Sequence, residues 1–352
     1  MQYLSDYGLP EPTPEDLRSG ARTARVTAVH RERYEIVSPD GFGFAQCKAA
    51  QYFNDCGQPF PTVGDFVRIA YNPIGDSQIV ATLPRRSFFS RRDPTPGRGE
   101  QAVSANFDYV FILTSLNQEF NPKRLERYLT AAWQSGGLPV VVLTKADLTE
   151  DASAVQHTAE RLAVGAAVHA VSAQTGFGLE ALAPYLLPGK TLVLLGSSGV
   201  GKSSLVNALA GGTLMQVSAI REDDARGRHT TTHRQLLRLP CGALVIDTPG
   251  MRELGMWDVS TGLGETFGDV EAVLREGCRF SDCTHTGEPG CAVRAALDDG
   301  RLDPARWQSY QTLRREARYA DRKAALQLRQ QQRSSPGKKR GIKQIGGRSD
   351  ED

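Results

Sequence analysis

Alternating apolar and polar positions dominate the chain between residues 24 and 83. The apolar members of this alternation include Val26, Ala28, Tyr34, Ile36, Phe42 and Phe44. A period of two is typical of half-buried β-strands, and Pro39-Asp40-Gly41 is a turn sequence between two of them. Further strands are predicted over residues 63–71 and 79–83. Short strands separated by turns predict a small β-barrel or sandwich.

Beyond residue 100 the pattern changes to short, continuous apolar runs. These runs cover residues 109–113, 140–143, 168–171, 192–195 and 244–246. Stretches with helical periodicity separate most of them, for example over residues 122–133 and 203–210. Strands that are apolar on both faces and alternate with helices are typical of a buried parallel sheet. This part of the chain therefore predicts an α/β domain.

Length and composition fit several globular domains. The chain has 352 residues, of which 40% are hydrophobic and 23% charged, with a formal net charge of +2. This composition excludes a wholly disordered protein. The patterns predict a flexible arm (1–20), a β-domain (21–84), a basic linker (85–100), an α/β domain (101–260), a helical domain (261–330) and a basic disordered tail (331–352).

Neither a membrane segment nor a secretion signal is expected. No apolar run approaches the roughly 20 residues that a membrane span requires. The first twenty residues are polar and proline-bearing, and they lack the basic and apolar regions of a signal peptide. We therefore expect a cytoplasmic protein without membrane contact. The sequence shows no coiled-coil pattern or large apolar stripe, which predicts a monomer.

A phosphate-binding loop follows the apolar run at residues 192–195. The sequence GSSGVGKS fits the pattern GxxxxGK[ST]. Glycines allow backbone N–H groups to surround a phosphate, and the positive end of the following helix adds attraction. Lys202 is expected to reach the β- and γ-phosphates, and Ser203 to bind Mg²⁺. The predicted phosphate-site residues are Gly196, Ser197, Ser198, Gly199, Val200, Gly201, Lys202, Ser203 and Ser204.

A second phosphate element, Asp247-Thr248-Pro249-Gly250, follows the run at residues 244–246. The acid can hold the water shell of Mg²⁺, and the Gly250 N–H can contact the γ-phosphate. A threonine from the intervening segment GRHTTTH can complete the magnesium shell. Thr231 and Thr232 are favoured over Thr230, without grounds for choosing between them. The assigned magnesium set is Ser203, Thr232 and, through water, Asp247.

The predicted base site combines two strand ends. Thr144-Lys145-Ala146-Asp147 resembles the NKxD guanine motif, in which the acid accepts hydrogen bonds from guanine N1 and N2. Ser172-Ala173 resembles the second guanine motif, in which the Ala173 N–H contacts O6. Adenine lacks the donors that Asp147 needs, so guanine should be strongly preferred. Thr144 replaces the Asn that usually ties the base loop to the phosphate loop, so a modest affinity is expected.

These motifs occur in an inverted order. Ras-like GTPases have the phosphate loop first and the base motifs last, whereas here the base motifs at residues 144 and 172 precede the phosphate motifs at 196 and 247. The same site can form if the chain is circularly permuted within one fold. The chain therefore resembles the circularly permuted GTPases of ribosome assembly. Permutation also lets the chain continue from the second phosphate element into a further domain.

Three cysteines and a histidine cluster beyond residue 270. Cys278, Cys283, His285 and Cys291 give the pattern C-x4-C-x-H-x5-C. Three thiolates and one imidazole suit a closed, structural Zn²⁺ site. The alternative is core cysteines beside a surface histidine, but the segment is rich in Gly, Pro, Asp and Thr. We predict one structural zinc ion in a mostly helical domain.

Together these motifs resemble the RsgA (YjeQ) family of ribosome-small-subunit-dependent GTPases over nearly the whole chain. The resemblance implies that the N-terminal β-domain is an RNA-binding OB-fold and that the C-terminal domain binds zinc. It implies a GTP hydrolase that acts in late maturation of the small (30S) ribosomal subunit and that the subunit stimulates. The implied partners are that subunit, its 16S rRNA and GTP or GDP.

Basic residues are compatible with an RNA partner. In the predicted linker, Phe88 and Phe89 are flanked by Arg85, Arg86, Arg91 and Arg92. This composition suits phosphate contact and base stacking. The alternatives are a solvated linker and phenylalanines that fill a seam between domains. Residues 306–343 carry twelve Lys or Arg residues against Glu316 and Asp321, and they can supply further phosphate contacts.

The water-orienting residue is not obvious. Met251 follows Gly250, where Ras-like enzymes carry a Gln that orients the attacking water. Slow intrinsic turnover is therefore expected. His229 is the catalytic candidate, which the family resemblance also indicates, alongside Lys202, Thr231 and Thr232; His233 is a weaker candidate. Two other functions stay open: a GTP-controlled RNA-binding checkpoint in which hydrolysis is incidental, and an ATPase or small-molecule kinase, which Asp147 disfavours.

Overall fold

The computed structural model describes residues 5–10, 22–30, 33–48, 52, 59–92, 100–116, 120–149, 152–215, 234–247 and 260–334. Five strands form a closed barrel near the N-terminus. They are β1 (Arg22–His30), β2 (Arg33–Ser38), β3 (Gly41–Cys47), β4 (Phe66–Ala70) and β5 (Ser77–Thr82). Their order is β1-β2-β3-β5-β4, and β4 pairs back with β1. The predicted OB-type barrel is confirmed.

The alternating pattern does not reveal which side of strand β3 faces the barrel core. Ala45 is the buried residue, whereas Phe42 and Phe44 face outward and are 64% and 38% exposed. The Phe42 ring contacts Tyr7 edge-on, with ring centroids 5.7 Å apart. The Arg33 guanidinium lies 3.7 Å from the Phe44 ring centroid. Both rings therefore pack against neighbours on the outer surface, while a small residue fills the narrow interior.

A β-hairpin lies where the predicted basic linker meets the α/β domain. Its strands are β6 (Phe88–Arg92) and β7 (Glu100–Ala105). Phe89 is buried and stacks on Phe107, with ring centroids 4.9 Å apart. The Arg85 guanidinium donates to the buried Asp65 carboxylate at 2.7 Å. Packing in a seam is therefore the observed role of Phe89, and Arg85 is engaged in an internal ion pair.

Among the described residues, six strands form the sheet of the α/β domain. They are β8 (Tyr109–Ser115), β9 (Leu138–Thr144), β10 (Ala167–Ala170), β11 (Thr191–Leu195), β12 (Gln235–Arg238) and β13 (Leu244–Asp247). Their order is β10-β9-β8-β11-β13-β12, with only β12 antiparallel to its neighbour β13. Because the chain enters the sheet at β8, the base-site strands β9 and β10 precede β11 in sequence. This is the predicted circular permutation.

In the described part of the chain, three α-helices belong to this domain: α1 (Pro122–Gln134), α2 (Ala152–Leu162) and α3 (Lys202–Ala210). Helix α1 begins with local sequence signals. Asn121 caps it by accepting a hydrogen bond from the Arg124 N–H, and Pro122 occupies the first turn, where its missing N–H costs nothing. The apolar side of α1 includes Leu125 and Leu129, which pack in the core of the sheet. The helix thus covers one face of β8 and β9, and β9 leads to the first base motif.

The barrel and the α/β sheet form one continuous sheet of eleven strands. Gln235 of β12 pairs with Ala28 of β1. Near this joint, Arg25 of β1 is only 1% exposed, and burial lowers its pKa to about 10. Its guanidinium donates at 2.8 to 3.3 Å to the carbonyls of Tyr7, Gly64 and Asn106 and to Thr191 Oγ1. A barrel residue therefore fixes the start of β11, the strand that leads to the phosphate loop.

Within residues 260–334, four helices form the C-terminal domain. They are α4 (Ser260–Thr266), α5 (Gly268–Glu276), α6 (Ala292–Asp298) and α7 (Pro304–Ser334). Their core includes Phe267, Trp307 and Tyr310, and the Tyr310 ring contacts the rings of both Phe267 and Trp307. Helix α7 extends beyond the predicted boundary at residue 330, and residues 335–352 lie outside the described part. Among the described helices, none combines the length and apolar character needed to cross a bilayer.

Arg306 joins this domain to helix α1. The side chain is 6% exposed and donates to Glu126 of α1 at 2.9 Å. It also donates to both Asp269 oxygens, at 3.0 and 3.1 Å, and to the Thr266 carbonyl at 2.6 Å. Removing one partner of such a buried pair leaves an uncompensated charge, at a cost of about 3–5 kcal/mol. Arg306 therefore specifies where the C-terminal domain packs on the α/β domain.

Candidate functional site

The predicted phosphate loop joins the central strand β11 to helix α3. Gly199 and Gly201 have φ angles of 73° and 103°, which residues with a β-carbon rarely adopt. A β-carbon on Gly196 would lie 2.8 Å from the Leu113 carbonyl oxygen, so only glycine fits there. The Lys202 ammonium donates to the carbonyls of Gly196 and Ser197 at 2.8 and 2.7 Å. Its positive charge therefore lies across the loop where phosphates are predicted to bind.

Asp247 lies at the same edge of the sheet. It ends strand β13, directly beside β11, and its pKa is raised by burial and lowered to a smaller extent by the charge of Lys202. Ser203 lies in the first turn of α3. Parallel strands present their carboxyl ends at one edge, which brings these side chains together. One hydroxyl and one carboxylate beside a phosphate loop are the kind of oxygen donors that Mg²⁺ takes with a nucleotide.

The predicted base-site residues meet at the ends of β9 and β10. Ser172 Oγ donates to Asp147 Oδ1 at 2.5 Å, and the Ala146 N–H donates to the Val171 carbonyl at 3.1 Å. Lys145 has a φ angle of 59°, which turns the chain into the short 3-10 turn Ala146–Leu148. Asp147 is exposed, as an acceptor for a ligand must be. The two base loops are therefore held together as one acceptor site.

Thr144 makes the hydrogen bond between the base loop and the phosphate loop that the sequence predicted to be missing. Its hydroxyl donates to the Val200 carbonyl of the phosphate loop at 2.6 Å, and the side chain is buried. A β-carbon on Gly201 would lie 3.9 Å from the Thr144 side chain, which shows how closely the loop approaches β9. A short hydroxyl therefore replaces the longer amide of Asn. A modest nucleotide affinity was expected because this hydrogen bond was predicted to be absent. The prediction that it is absent is wrong.

Thr144→Val should lower the affinity for GDP and GTP about tenfold. Valine keeps the shape of threonine but leaves the buried Val200 carbonyl without its donor, at a cost of about 1–3 kcal/mol. Calorimetric titration with GDP measures the effect. Thr158→Val is the matched control, because that hydroxyl bonds only within helix α2, to the Ala154 carbonyl. Equal affinities for the parent and Thr144→Val would show that the link contributes nothing.

The four predicted zinc ligands converge. Their ligand atoms all lie within 4.8 Å of one another. Cys278 Sγ is 3.9 Å from Cys291 Sγ, and His285 Nδ1 is 3.4 and 3.5 Å from these two sulfurs. With Zn–S near 2.3 Å and Zn–N near 2.05 Å, a tetrahedron has S–S edges of about 3.8 Å and S–N edges of about 3.5 Å. Cys278, Cys283, His285 and Cys291 therefore fit one tetrahedral Zn²⁺, with His285 bound through Nδ1.

Glu288 holds the loop that carries His285, and the cysteine and histidine spacing gave no sign of it. His285 has a left-handed φ of 63°. The Glu288 carboxylate accepts hydrogen bonds from the N–H groups of Thr284, Thr286 and Gly287 and from the Thr284 hydroxyl. These bonds, that of the Thr284 hydroxyl first, hold the pKa of Glu288 well below its usual range. The imidazole also packs edge-on against Trp307, with ring centroids 5.7 Å apart.

Several predicted site residues lie outside the described part of the chain. They are the catalytic candidate His229, the magnesium candidates Thr231 and Thr232, and Gly250. Their roles stay predictions. The described residues bring the phosphate loop and the base loops together, and they gather the four predicted zinc ligands into one cluster in the C-terminal domain.

A phosphate loop after a central strand, an acid at the next strand end and a guanine-type acceptor define a circularly permuted GTPase. A family model described as RsgA GTPase matches residues 82–257. The Small ribosomal subunit biogenesis GTPase RsgA 1 of Listeria monocytogenes is 46% identical over 331 residues, 94% of each chain. Its counterpart in Streptomyces avermitilis is 46% identical over 316 residues, 88% of this chain and 83% of that protein. The chain belongs to the RsgA GTPase family, and it is a GTP-hydrolysing enzyme of ribosome biogenesis.

Solved structures agree with the fold. The crystal structure of YjeQ from Thermotoga maritima matches with a TM-score of 0.61 and 26% identity, over 83% of this chain and 97% of that chain. The crystal structure of YloQ, a circularly permuted GTPase, matches with a TM-score of 0.58 and 24% identity, over 85% and 95% of the two chains. The YloQ match supports the fold alone. Both similarities extend over most of the chain, beyond the α/β domain.

Proposed function

We propose that this GTPase acts in late maturation of the small (30S) ribosomal subunit, as a cytoplasmic monomer whose hydrolysis the subunit stimulates. The relatives that match over 94% of the chain are named for small ribosomal subunit biogenesis. GTP hydrolysis is supported by the hydrogen bond from the Thr144 hydroxyl to the Val200 carbonyl, which joins the strand before the predicted guanine acceptor to the phosphate loop. Such a link fixes base and phosphates in one geometry. The subunit and its 16S rRNA are the partners we infer from the relatives.

GTP is proposed to bind across both sets of loops. Asp147 accepts from guanine N1 and N2, the Ala173 N–H donates to O6, and the Lys145 stem covers the purine. Lys202 and the N–H groups of the phosphate loop contact the phosphates. The remaining contacts are assigned to Thr144, Ala146, Ser172, Asp247 and Gly250, and to the loop residues Gly196, Ser197, Ser198, Gly199, Val200, Gly201, Ser203 and Ser204.

Hydrolysis is proposed to proceed by in-line attack of water on the γ-phosphoryl group. The Lys202 ammonium and the loop N–H groups stabilise the charge that develops on the phosphoryl oxygens. Mg²⁺, when held by Ser203, a threonine (Thr231 or Thr232) and, through water, Asp247, neutralises phosphate charge. His229 is the residue proposed to orient the water, because the Met251 thioether is a poor hydrogen-bond partner. Without a partner the enzyme should therefore turn over slowly.

The C-terminal domain is proposed to hold one structural zinc ion and to contact RNA. All four positions of the tetrahedron are taken by Cys278, Cys283, His285 and Cys291, so no position is open for catalysis. Helix α7 presents Arg315, Arg318 and Arg322, which are exposed. Exposed arginines on one helix suit contacts with the phosphates of ribosomal RNA. Salt should therefore weaken binding to the subunit.

The test is GTP hydrolysis with small subunits, with large subunits and with neither, and with ATP in place of GTP. We expect small subunits, but not large subunits, to raise the rate of GTP hydrolysis about tenfold or more, which corresponds to an activation free energy lower by roughly 1.4 kcal/mol or more. Equal rates in all mixtures would refute the proposed partner. If GTP strengthened subunit binding but its hydrolysis stayed slow with every subunit, the RNA-binding checkpoint would be the better description.

A further inference from the structure

Two arginines meet where the barrel, the β6–β7 hairpin and the α/β domain join. Arg234 lies immediately before β12, and its Nη1 donates to the Ala102 carbonyl of β7 at 2.7 Å. Arg91 of β6 donates through Nε to Gln101 Oε1, also on β7, at 2.8 Å. Both side chains are partly buried. Two guanidinium groups from distant parts of the chain are thus anchored on consecutive residues of one strand.

Among the residues that the structure describes, no carboxylate neutralises the positive charges of these two groups. Burial, and next the charge of Arg91, lower the pKa of Arg234 to about 10. Within the described ranges, no carboxylate forms an ion pair with either group. Arg85 and Arg306, by contrast, pair with the buried carboxylates of Asp65 and Glu126. Arg91 and Arg234 are therefore close enough to repel each other, in a place where an anion would be attracted.

A phosphate has the right chemistry for this place. A guanidinium group has five N–H donors, and each of these two groups uses one of them in the described structure. Phosphate oxygens accept paired hydrogen bonds from guanidinium groups and carry the compensating charge. One phosphate between the two side chains would replace their repulsion with two favourable contacts.

The position of Arg234 connects this place to the nucleotide site. The next residue, Gln235, pairs with Ala28 of the barrel on one side and with Asp247 on the other. Asp247 is the acid assigned to the magnesium shell. An anion that fixes Arg234 therefore fixes the start of β12, one strand away from that acid.

We propose that Arg91 and Arg234 form a binding site for a backbone phosphate of ribosomal RNA, and that its occupation contributes to the stimulation of GTP hydrolysis. This inference rests on the proposed function, since it takes the small subunit to be the source of the phosphate. It gives the subunit a direct route to the nucleotide site, through Arg234, Gln235 and Asp247. It assigns the RNA contact to Arg91, which has no carboxylate partner among the described residues, rather than to Arg85, which pairs with Asp65.

The test uses the full-length protein, purified small subunits and the variants Arg91→Gln and Arg234→Gln. Subunit affinity is measured over a salt series, and stimulation is the ratio of hydrolysis rates with and without subunits for each variant. We expect each variant to bind roughly tenfold more weakly and to lower the salt slope by about one. The stimulation ratio should fall by a similar factor. The control Arg161→Gln removes an exposed charge on α2 and should change neither quantity.

Two further arms separate the possible outcomes. Arg234→Lys keeps the charge and a donor, so it should retain more stimulation than Arg234→Gln. If Arg234→Gln does not fold, Arg91→Gln alone decides. If inorganic phosphate without subunits raised the hydrolysis rate of the parent protein but not of the variants, the anion site would be supported, with free phosphate rather than RNA as its ligand. If subunits stimulate the parent protein, and both variants keep its salt slope of subunit binding and its stimulation ratio, this inference alone is overturned. If subunits do not stimulate the parent protein, the proposed function is overturned.

Discussion

Asp147→Asn should convert a guanine site into one that prefers xanthine. The Asp147 carboxylate is the proposed acceptor for the two N–H donors of guanine, and an amide offers one acceptor and one donor in the same place. Xanthine keeps the donor at N1 and replaces the amino group with an oxygen, which matches that amide. The affinity for GTP should fall by about 10³ or more, since the amide cannot accept from both guanine donors and a site built on such hydrogen bonds discriminates strongly against an unmatched partner.

Asp147→Asn should keep the hydrogen bond between residue 147 and Ser172. The Ser172 hydroxyl donates to Asp147 Oδ1 at 2.5 Å, and an Asn side-chain oxygen can accept the same bond. The base loops should therefore keep their shape. Competition of GTP, xanthosine triphosphate and ATP against labelled GDP measures the change. Asp298→Asn, an exposed acid on α6, is the control and should leave the selectivity as it is. If ATP gained as much as xanthosine triphosphate, Asp147 would not be the base-reading residue.

Removal of zinc should unfold the C-terminal domain. The domain core is small, and Cys291 contributes to it as a buried residue that also caps helix α6 by accepting the Arg294 N–H. Structural zinc sites supply about 10–16 kcal/mol of apparent binding free energy, which is then lost. Cys291→Ser and treatment with a chelator should both release one zinc ion per chain. We expect loss of helical circular dichroism and rapid proteolysis between residues 260 and 334.

Cys241→Ser is the matched control for the zinc prediction. Cys241 is an exposed cysteine outside the cluster, so its loss should change neither metal content nor helicity. Substitution of Co²⁺ for zinc should give absorption bands typical of tetrahedral thiolate coordination in the parent and altered bands in Cys291→Ser. Guanine nucleotide binding should persist in the metal-free protein, because the phosphate and base loops lie in the α/β domain. A metal-free chain with full helicity and protease resistance would contradict a structural role.

Local patterns were sufficient for the parts of this protein whose chemistry depends on consecutive residues. A phosphate loop needs its glycines, lysine and serine in one turn, and the zinc ligands lie within fourteen positions from Cys278 to Cys291. The sequence therefore predicted both sites, and the structure brings the four predicted zinc ligands together. The order of the motifs also revealed the permutation, because the fold fixes which strands must be neighbours. Periodicity predicted the strands of the barrel and of the α/β sheet, because the alternation or continuity of apolar residues is also a property of consecutive positions.

Contacts between distant residues were decided only by the tertiary structure. Thr144 and Val200 are 56 positions apart, so no local pattern could show that a hydroxyl replaces the expected amide. The pairing of Arg306 with Glu126 spans 180 positions. Phe89 is buried while Phe42 is exposed, although both are aromatic residues in β-strands. Burial and partner choice depend on which surfaces meet after folding, and the periodicity of a single segment carries no information about the segment that will cover it.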